Sequence, residues 1–372
     1  MANNSDIMQE NHSNHLDCFN KRIKISPAIL SKIAAIDEFK GLWKGSFAIN
    51  PVILKRLRST VIITSTGAST RIEGATMSDK EIARLLRGLK SNPPKNRDEQ
   101  EVAGYADLIG RIFDHYKSLK LTENNILHFH GILLQYSQKD QSHKGKYKMA
   151  DNVVQAVNEK GERVIVFKAT PPYLVKPEME AALAWAAGEL EKKEVHEPQS
   201  LHPLLVIANF IFEFLAIHPF SDGNGRLSRA LTNLLLLRAD YAYIPYVSLD
   251  EIIEDTRAEY YMALHKTQNN HKTDHEDITP WLDYFLDLLI THATAARKLM
   301  EGNEPEKLLA ESQEKILELF ERGKDMSISD IMNKLGNAPR ENVKKNLARL
   351  VDLRLLELVG QGRGARYRKI SK

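Results

Sequence analysis

The chain has 372 residues, a formal charge of +3, 42% hydrophobic and 27% charged residues, and a single cysteine, Cys18. That length accommodates two or three domains of an ordinary soluble mix. One cysteine excludes an internal disulfide framework, the absence of any C-x-x-C excludes that metal site, and no apolar run is long enough to span a bilayer.

In chain order, residues 1 to about 25 read as a polar tail without the apolar core of a signal peptide. The chain is therefore expected to be cytoplasmic, without a membrane partner. Apolar spacing from Ser26 to Arg87 predicts helices, broken near Pro51 and at Thr66-Gly67. Gly88 to Asn96, with Pro93-Pro94, reads as a loop. Arg97–Tyr116 and Glu123–Ser137 read as amphipathic helices. From Gly145 to Val166 the pattern changes: Val153-Val154, then Lys160-Gly161-Glu162, then Val164-Ile165-Val166 predict a β-hairpin closed by Pro171-Pro172. Helices resume at Lys176 and continue to about Met300, and Gly302-Asn303-Glu304-Pro305 is a linker signal.

Between the apolar run Ile207–Ile217 and the leucine-rich run Leu231–Leu237 lies His218-Pro-Phe220-Ser-Asp222-Gly223-Asn224-Gly225-Arg226-Leu-Ser-Arg229. Gly223 and Gly225 permit positive φ and close backbone approach. The free amides and dipole at the start of the next helix favour a phosphate. Arg226 and Arg229, three apart, share a helix face and suit a polyphosphate. Asp222 is the hard-oxygen ligand for Mg²⁺, and His218 is the proton acceptor near neutral pH. The set suits in-line attack of a hydroxyl on a nucleotide phosphate. Its alternative is a capped polar helix-loop-helix.

The run resembles the Fic-family motif, His-x-Phe-x-Asp/Glu-Gly-Asn-Gly-Arg-x-x-Arg, at every specified position. The resemblance implies a mainly α, Fic-type helical bundle with a β-hairpin flap. It implies AMPylation, the transfer of AMP from Mg²⁺-ATP to a protein Ser, Thr or Tyr hydroxyl. His218 would be the base, Asp222 the Mg²⁺ ligand, and Gly223, Asn224, Gly225, Arg226 and Arg229 the phosphate cradle, with Phe220 pointing into the core. Ser69-Thr-Arg-Ile-Glu73-Gly74 resembles the family's inhibitory motif and implies that Glu73 pairs with Arg229 in place of the γ-phosphate. Read alone, Glu73-Gly74 is equally a helix C-cap. Gly145-Lys146-Tyr147 and Pro171-Pro172 resemble the flanks of the flap, whose edge would hold the target segment. Tyr260-Tyr261 and the amide of Gln268 resemble the adenine-lining helix, which implies adenine contacts for Tyr261 and Gln268. The alternatives are removal of AMP, with Glu73 positioning water, and a nucleotide-sensing DNA-binding regulator. An intact His218 speaks against a sensor, which needs no base.

From Arg340 to Lys372 ten Lys/Arg face three Asp/Glu, a local +7. Helices over Glu314–Arg322, from Ser327 and over Pro339–Leu350, then a basic hairpin spanning Leu355–Lys369, resemble a winged helix-turn-helix, which implies a DNA or a protein partner. The expected division is 1–109 with the inhibitory motif, 110–300 as the catalytic core, and 306–372 as the winged helix. A homodimer is compatible with the sequence.

Overall fold

The computed structural model describes residues 19–45, 51–89, 91–157, 163–194, 200–301, 311–320, 325–336, 339–352, 355–360 and 365–370. Most of the expected tail, the Gly302–Pro305 linker, the Lys160-Gly161-Glu162 turn and the tip of the second hairpin lie outside them. The chain divides into two compact units, Met1–Gly45 with Thr60–Ala296 and Ser46–Ser59 with Arg297–Lys372.

The first unit is helical. Its elements are α1 (Pro27–Gly45), the greater part of α2 (Pro51–Ile72), α3 (Asp79–Gly88), α4 (Arg97–His115), α5 (Glu123–Leu133), β1 (Val153–Val157), β2 (Arg163–Lys168), α6 (Pro172–Glu194), α7 (Pro203–Ile217), α8 (Asn224–Arg238), α9 (Leu249–Asp255), α10 (Arg257–Gln268) and most of α11 (Thr279–Glu301). Every residue of α7 is buried, as its nearly unbroken apolar sequence requires. Each large apolar side chain on it contributes roughly 1.5–3 kcal/mol of burial. Helix α8 packs on α7, α4 and α5 pack on α8, and α6 packs on α7. The loop between α7 and α8 is thereby fixed at the centre of the unit. Trp281 ties α11 to α7, its indole N–H donating to the Ala208 carbonyl at 2.7 Å.

Two expectations need correction. Helix α2 runs through Thr66-Gly67 without a break. The Thr66 hydroxyl is satisfied by the Ile62 carbonyl at 2.6 Å. Gly67 is there for space, since a Cβ would collide with the paired side chains of Arg71 and Asp79. The hairpin is also shorter than the change of pattern suggests. Val153 pairs with Lys168 and Val157 with Arg163, antiparallel, with an irregularity between Val154 and Gln155. Residues 145–152 are turn and irregular backbone, and α6 starts at Pro172, where proline suits a first helical turn.

In the second unit α12 (Glu311–Glu318), α13 (Ile328–Leu335), α14 (Arg340–Asp352), β3 (Leu356–Val359) and β4 (Arg366–Lys369) surround a core that includes Ile316, Ile331, Val343, Leu347 and Leu356. Ile53, from the first turns of α2, belongs to the same core. Ser327 caps α13 through a reciprocal box with Asp330, and β3 pairs antiparallel with β4.

Candidate active site

Helix α7 ends on His218, whose backbone is left-handed (φ 53°, ψ 60°). For a non-glycine residue that conformation costs roughly 1–2 kcal/mol. The His218 amide closes the helix on the Phe214 carbonyl at 3.0 Å. Its Nδ1 lies 3.4 Å from the Leu215 carbonyl, which only accepts, so Nδ1 carries the proton and Nε2 keeps its lone pair free. Burial, reinforced by Lys148, pushes the imidazole down to about 4. It is neutral at physiological pH, the form that accepts a proton.

The rest of the loop is braced from inside. Phe220 is fully buried and stacks on His130 with ring centroids 3.8 Å apart. The Gly145 amide donates to His130 Nδ1 at 2.9 Å, which leaves the proton on Nε2, and Nε2 donates to the Asp222 carbonyl at 3.1 Å. Burial pushes this imidazole also to about 4. Asn224 accepts from the Phe220 amide at 2.9 Å and donates to its carbonyl at 2.7 Å. Its side chain is therefore a loop brace and not a cradle ligand. What Asn224 has left for an anion is its backbone N–H, in the first turn of α8. Gly223 caps α8 at φ 82°, where a side chain would be strained and would crowd Leu133.

Asp222 lies in a ring of alternating charges. Its Oδ1 accepts from the Gly223 amide at 2.6 Å and from Arg226 Nη2 at 3.0 Å. Arg226 is 1% exposed and also pairs with Glu101 at 2.9 Å. Glu101 pairs with Arg97 at 2.6 Å, and Arg97 Nη2 stands 3.6 Å from Asp222 Oδ2. Burial alone would raise the Asp222 carboxyl, but Arg226, the Gly223 amide and Arg97 outweigh it and hold it below the usual range. Among the described residues no cluster of three or more His, Cys, Asp or Glu is placed to hold a metal. Asp222 would be a lone protein ligand, as suits an ion that takes its other oxygens from phosphate and water.

The two arginines, three residues apart, have different protein partners. Arg226 is committed to Asp222 and Glu101. Arg229, 3% exposed, takes different partners. Its Nε donates to Ser69 Oγ at 2.7 Å, and its Nη2 to the Ser69 carbonyl at 2.9 Å and to Glu73 Oε1 at 2.8 Å. Asp250, fully buried and bound by the Tyr105 hydroxyl at 2.8 Å, stands 3.6 Å from Arg229 Nε. Glu73 follows the last turn of α2, and Gly74 reverses the chain at φ 105°. The C-cap reading of Glu73-Gly74 is thus met in geometry, and the Arg229 pairing is present beside it. A Cβ on Gly225 would fall on Glu73 Oε1, so the carboxylate lies directly over the first turn of α8. Arg71 anchors this end of α2 by a bidentate pair with Glu254 at 2.7 and 2.8 Å.

Tyr261 is 40% exposed with the Arg257 guanidinium 5.7 Å from its ring. Gln268, seven residues on, shares its face of α10 two turns away. Tyr260 is instead buried against Trp281 and Tyr284. Sequence reading missed His130, Glu101, Arg97, Lys148 and Asn152. Each reaches the site from a distant segment, and none carries a local mark.

Residues 120–236 match the sequence model of the Fic/DOC family. Protein adenylyltransferase Fic of Nematostella vectensis is 25% identical over 221 residues, 58% of this chain and 44% of that protein. Protein adenylyltransferase fic-1 of Caenorhabditis briggsae is 28% identical over 238 residues, 62% of this chain and 41% of that protein. The chain thus spans less than half the length of these two relatives. A crystal structure of a Fic family protein from Desulfovibrio desulfuricans superposes with a TM-score of 0.61 at 24% identity, covering 94% of this chain and 98% of that one. These findings support a Fic-domain protein of mainly helical fold. No described helix is long and apolar enough to cross a membrane.

Proposed function

We propose that the chain is a self-inhibited protein adenylyltransferase. The observation that carries this reading is the Glu73–Arg229 pair, laid over the first turn of α8 within the same site as a neutral, half-buried His218. In the reaction a Ser, Thr or Tyr hydroxyl forms a bond to the α-phosphorus of ATP. The bond from that phosphorus to the bridging oxygen breaks, and pyrophosphate leaves. His218 Nε2 takes the hydroxyl proton. Backbone amides from Gly223 to Gly225 and the start of α8 receive phosphate oxygens, and Arg229 stabilises them once Glu73 has moved. Asp222 would hold Mg²⁺, which when bound neutralises phosphate charge. Tyr261 and Gln268 face the adenine, and the edge of β1–β2 receives the target segment. A water placed by Glu73 would turn the same site to AMP removal, a reading served by a carboxylate one-third exposed.

We read the second unit as a winged helix-turn-helix, with α14 as the groove helix and β3–β4 as the wing. Its basic charge is partly used internally: Arg368 forms a bidentate pair with Asp325 at 2.6 and 2.9 Å, and Lys344 pairs with Glu341 at 3.0 Å. Salt-dependent gel shifts with diverse duplexes distinguish a DNA from a protein partner.

The test of the enzymatic reading is mass spectrometry of a lysate incubated with ATP and wild type, Glu73→Gly, or Glu73→Gly/His218→Ala protein. Adenylylated Ser, Thr or Tyr is expected with Glu73→Gly and lost in the double variant. Its absence with all three refutes the assignment.

A further inference from the structure

One buried ammonium joins the approach to the hairpin with the loop that carries the base. Lys148 lies in the irregular segment between α5 and β1 and is 2% exposed. Its backbone N–H donates to the Pro219 carbonyl at 2.9 Å. Its Nζ donates to Asn152 Oδ1 at 2.6 Å and reaches the Ile217 carbonyl at 3.4 Å. The Asn152 amide donates to the Phe220 carbonyl at 2.9 Å. The side chains of Lys148 and Asn152, four residues apart, thus take the carbonyls of Ile217 and Phe220, and the Lys148 backbone takes that of Pro219, so the contacts fall on both sides of His218. Ile217 ends α7, so its carbonyl has no partner from a further helical turn. His218 stands in a backbone conformation that persists only where its surroundings over-determine it.

A lysine is seldom this deeply buried without a compensating role. Burial pushes the Lys148 ammonium down to about 8 against the pull of Asp151 and Glu178, so it remains mostly charged at neutral pH. The nucleotide chemistry assigned above makes no use of it. The charged groups facing His218 are Lys148, Glu73 and Asp222. The two carboxylates favour the protonated ring, and Lys148 alone of the three opposes it.

We propose that Lys148 is a positioning residue for the base: with Asn152 it clamps the backbone around His218 and keeps the imidazole neutral and aimed. The kinetic part of this inference rests on the transfer reading, and the spectroscopic part does not.

The test uses the full chain carrying Lys148→Met, which keeps the stem and removes the charge, Lys148→Arg, which restores it, and Asn152→Ala. In ¹⁵N-histidine protein, the His218 ring is assigned by its loss in His218→Ala. It should titrate below pH 5 in the wild type, about one unit or more higher in Lys148→Met, and return towards wild type in Lys148→Arg. An unchanged titration in a folded Lys148→Met protein overturns the proposal. In the Glu73→Gly background, Lys148→Met should lower kcat about 10- to 100-fold, the scale of a misplaced reacting group. The KM for ATP should stay within about two-fold, and Lys148→Arg should recover most of kcat. A kcat equal to the parent's, or a loss confined to KM, overturns it as well. A Glu73→Gly parent without transfer strikes at the function and leaves the histidine titration to decide this inference. Should Lys148→Met fail to fold, Asn152→Ala carries the test: lowered kcat at constant KM supports the clamp, and full activity refutes it.

Discussion

Replacing Glu73 with Gly isolates one contact in the candidate site. Arg229 keeps its Ser69 hydroxyl and carbonyl partners and the nearby Asp250 carboxylate, so the buried guanidinium is not orphaned. What is lost is a charge-assisted hydrogen bond of 2.8 Å to a carboxylate that is 33% exposed. Hydrogen bonds to charged groups contribute about 1.5–3 kcal/mol, and solvent at Glu73 puts this one in the lower half, about 1.5–2 kcal/mol. An ATP phosphate oxygen has to displace that contact to reach Arg229. Its removal should therefore raise AMP transfer at limiting ATP about 10- to 30-fold. Initial rates with α-labelled ATP at equal protein concentration measure this, and γ-labelled ATP, whose label leaves with pyrophosphate, is the blank. Glu73→Gln, which keeps the volume and removes the charge, should fall between the two. Folding stability should fall by no more than the same 1.5–2 kcal/mol, roughly, since no buried group loses its last partner. Equal labelling of wild type and Glu73→Gly, with ATP affinity unchanged, refutes the reasoning: Glu73 would then only end α2.

Other perturbations separate the parts of the site. His218→Ala should lower transfer about 10²- to 10⁴-fold while ATP binding by calorimetry persists; undiminished transfer removes His218 from the chemistry. Asp222→Ala should weaken the Mg²⁺ dependence of transfer, and an unchanged Mg²⁺ titration would show that the ion is held elsewhere. Burial pushes His130, His218 and His292 each to about 4, whereas in the unfolded chain they titrate at their ordinary value near 6.5. Between those values the unfolded state binds more protons, so stability should be full above about pH 6.5 and fall as pH drops towards 4, by at most about 1.4 kcal/mol per group per pH unit. Melts across that range check this. His292→Leu, at a ring that touches the Val247 carbonyl, should flatten the slope; an unaltered slope would exclude His292 as a contributor.

What the sequence makes legible is the backbone that has to bend. His218 to Arg229 are consecutive, and the two glycines, the asparagine and the following leucines state locally that a tight turn feeds a buried helix. Glu73 is legible only by resemblance, because its partner Arg229 is 156 residues away and nothing within α2 points there. What holds the turn is not legible at all. His130 sits on the buried face of an amphipathic helix, where a lone histidine has no distinguishing neighbour, yet it ties Phe220, the Asp222 carbonyl and Gly145 together. The spacing that marks Arg226 says which residues point together on a helical face and nothing about which protein counter-ion is near. Glu101, from α4, pairs with Arg226 at 2.9 Å. Lys148 reads as one more surface cation in Lys144-Gly145-Lys146-Tyr147-Lys148, and only tertiary packing shows that one of those lysines is inside. Local signals fail here for a common physical reason: a strained turn is stabilised by buried polar contacts of long sequence separation, which leave no period in the chain. The groups that fix the His218 turn are therefore to be sought among buried polar side chains whose partners lie far away in sequence, as Lys148 and His130 do.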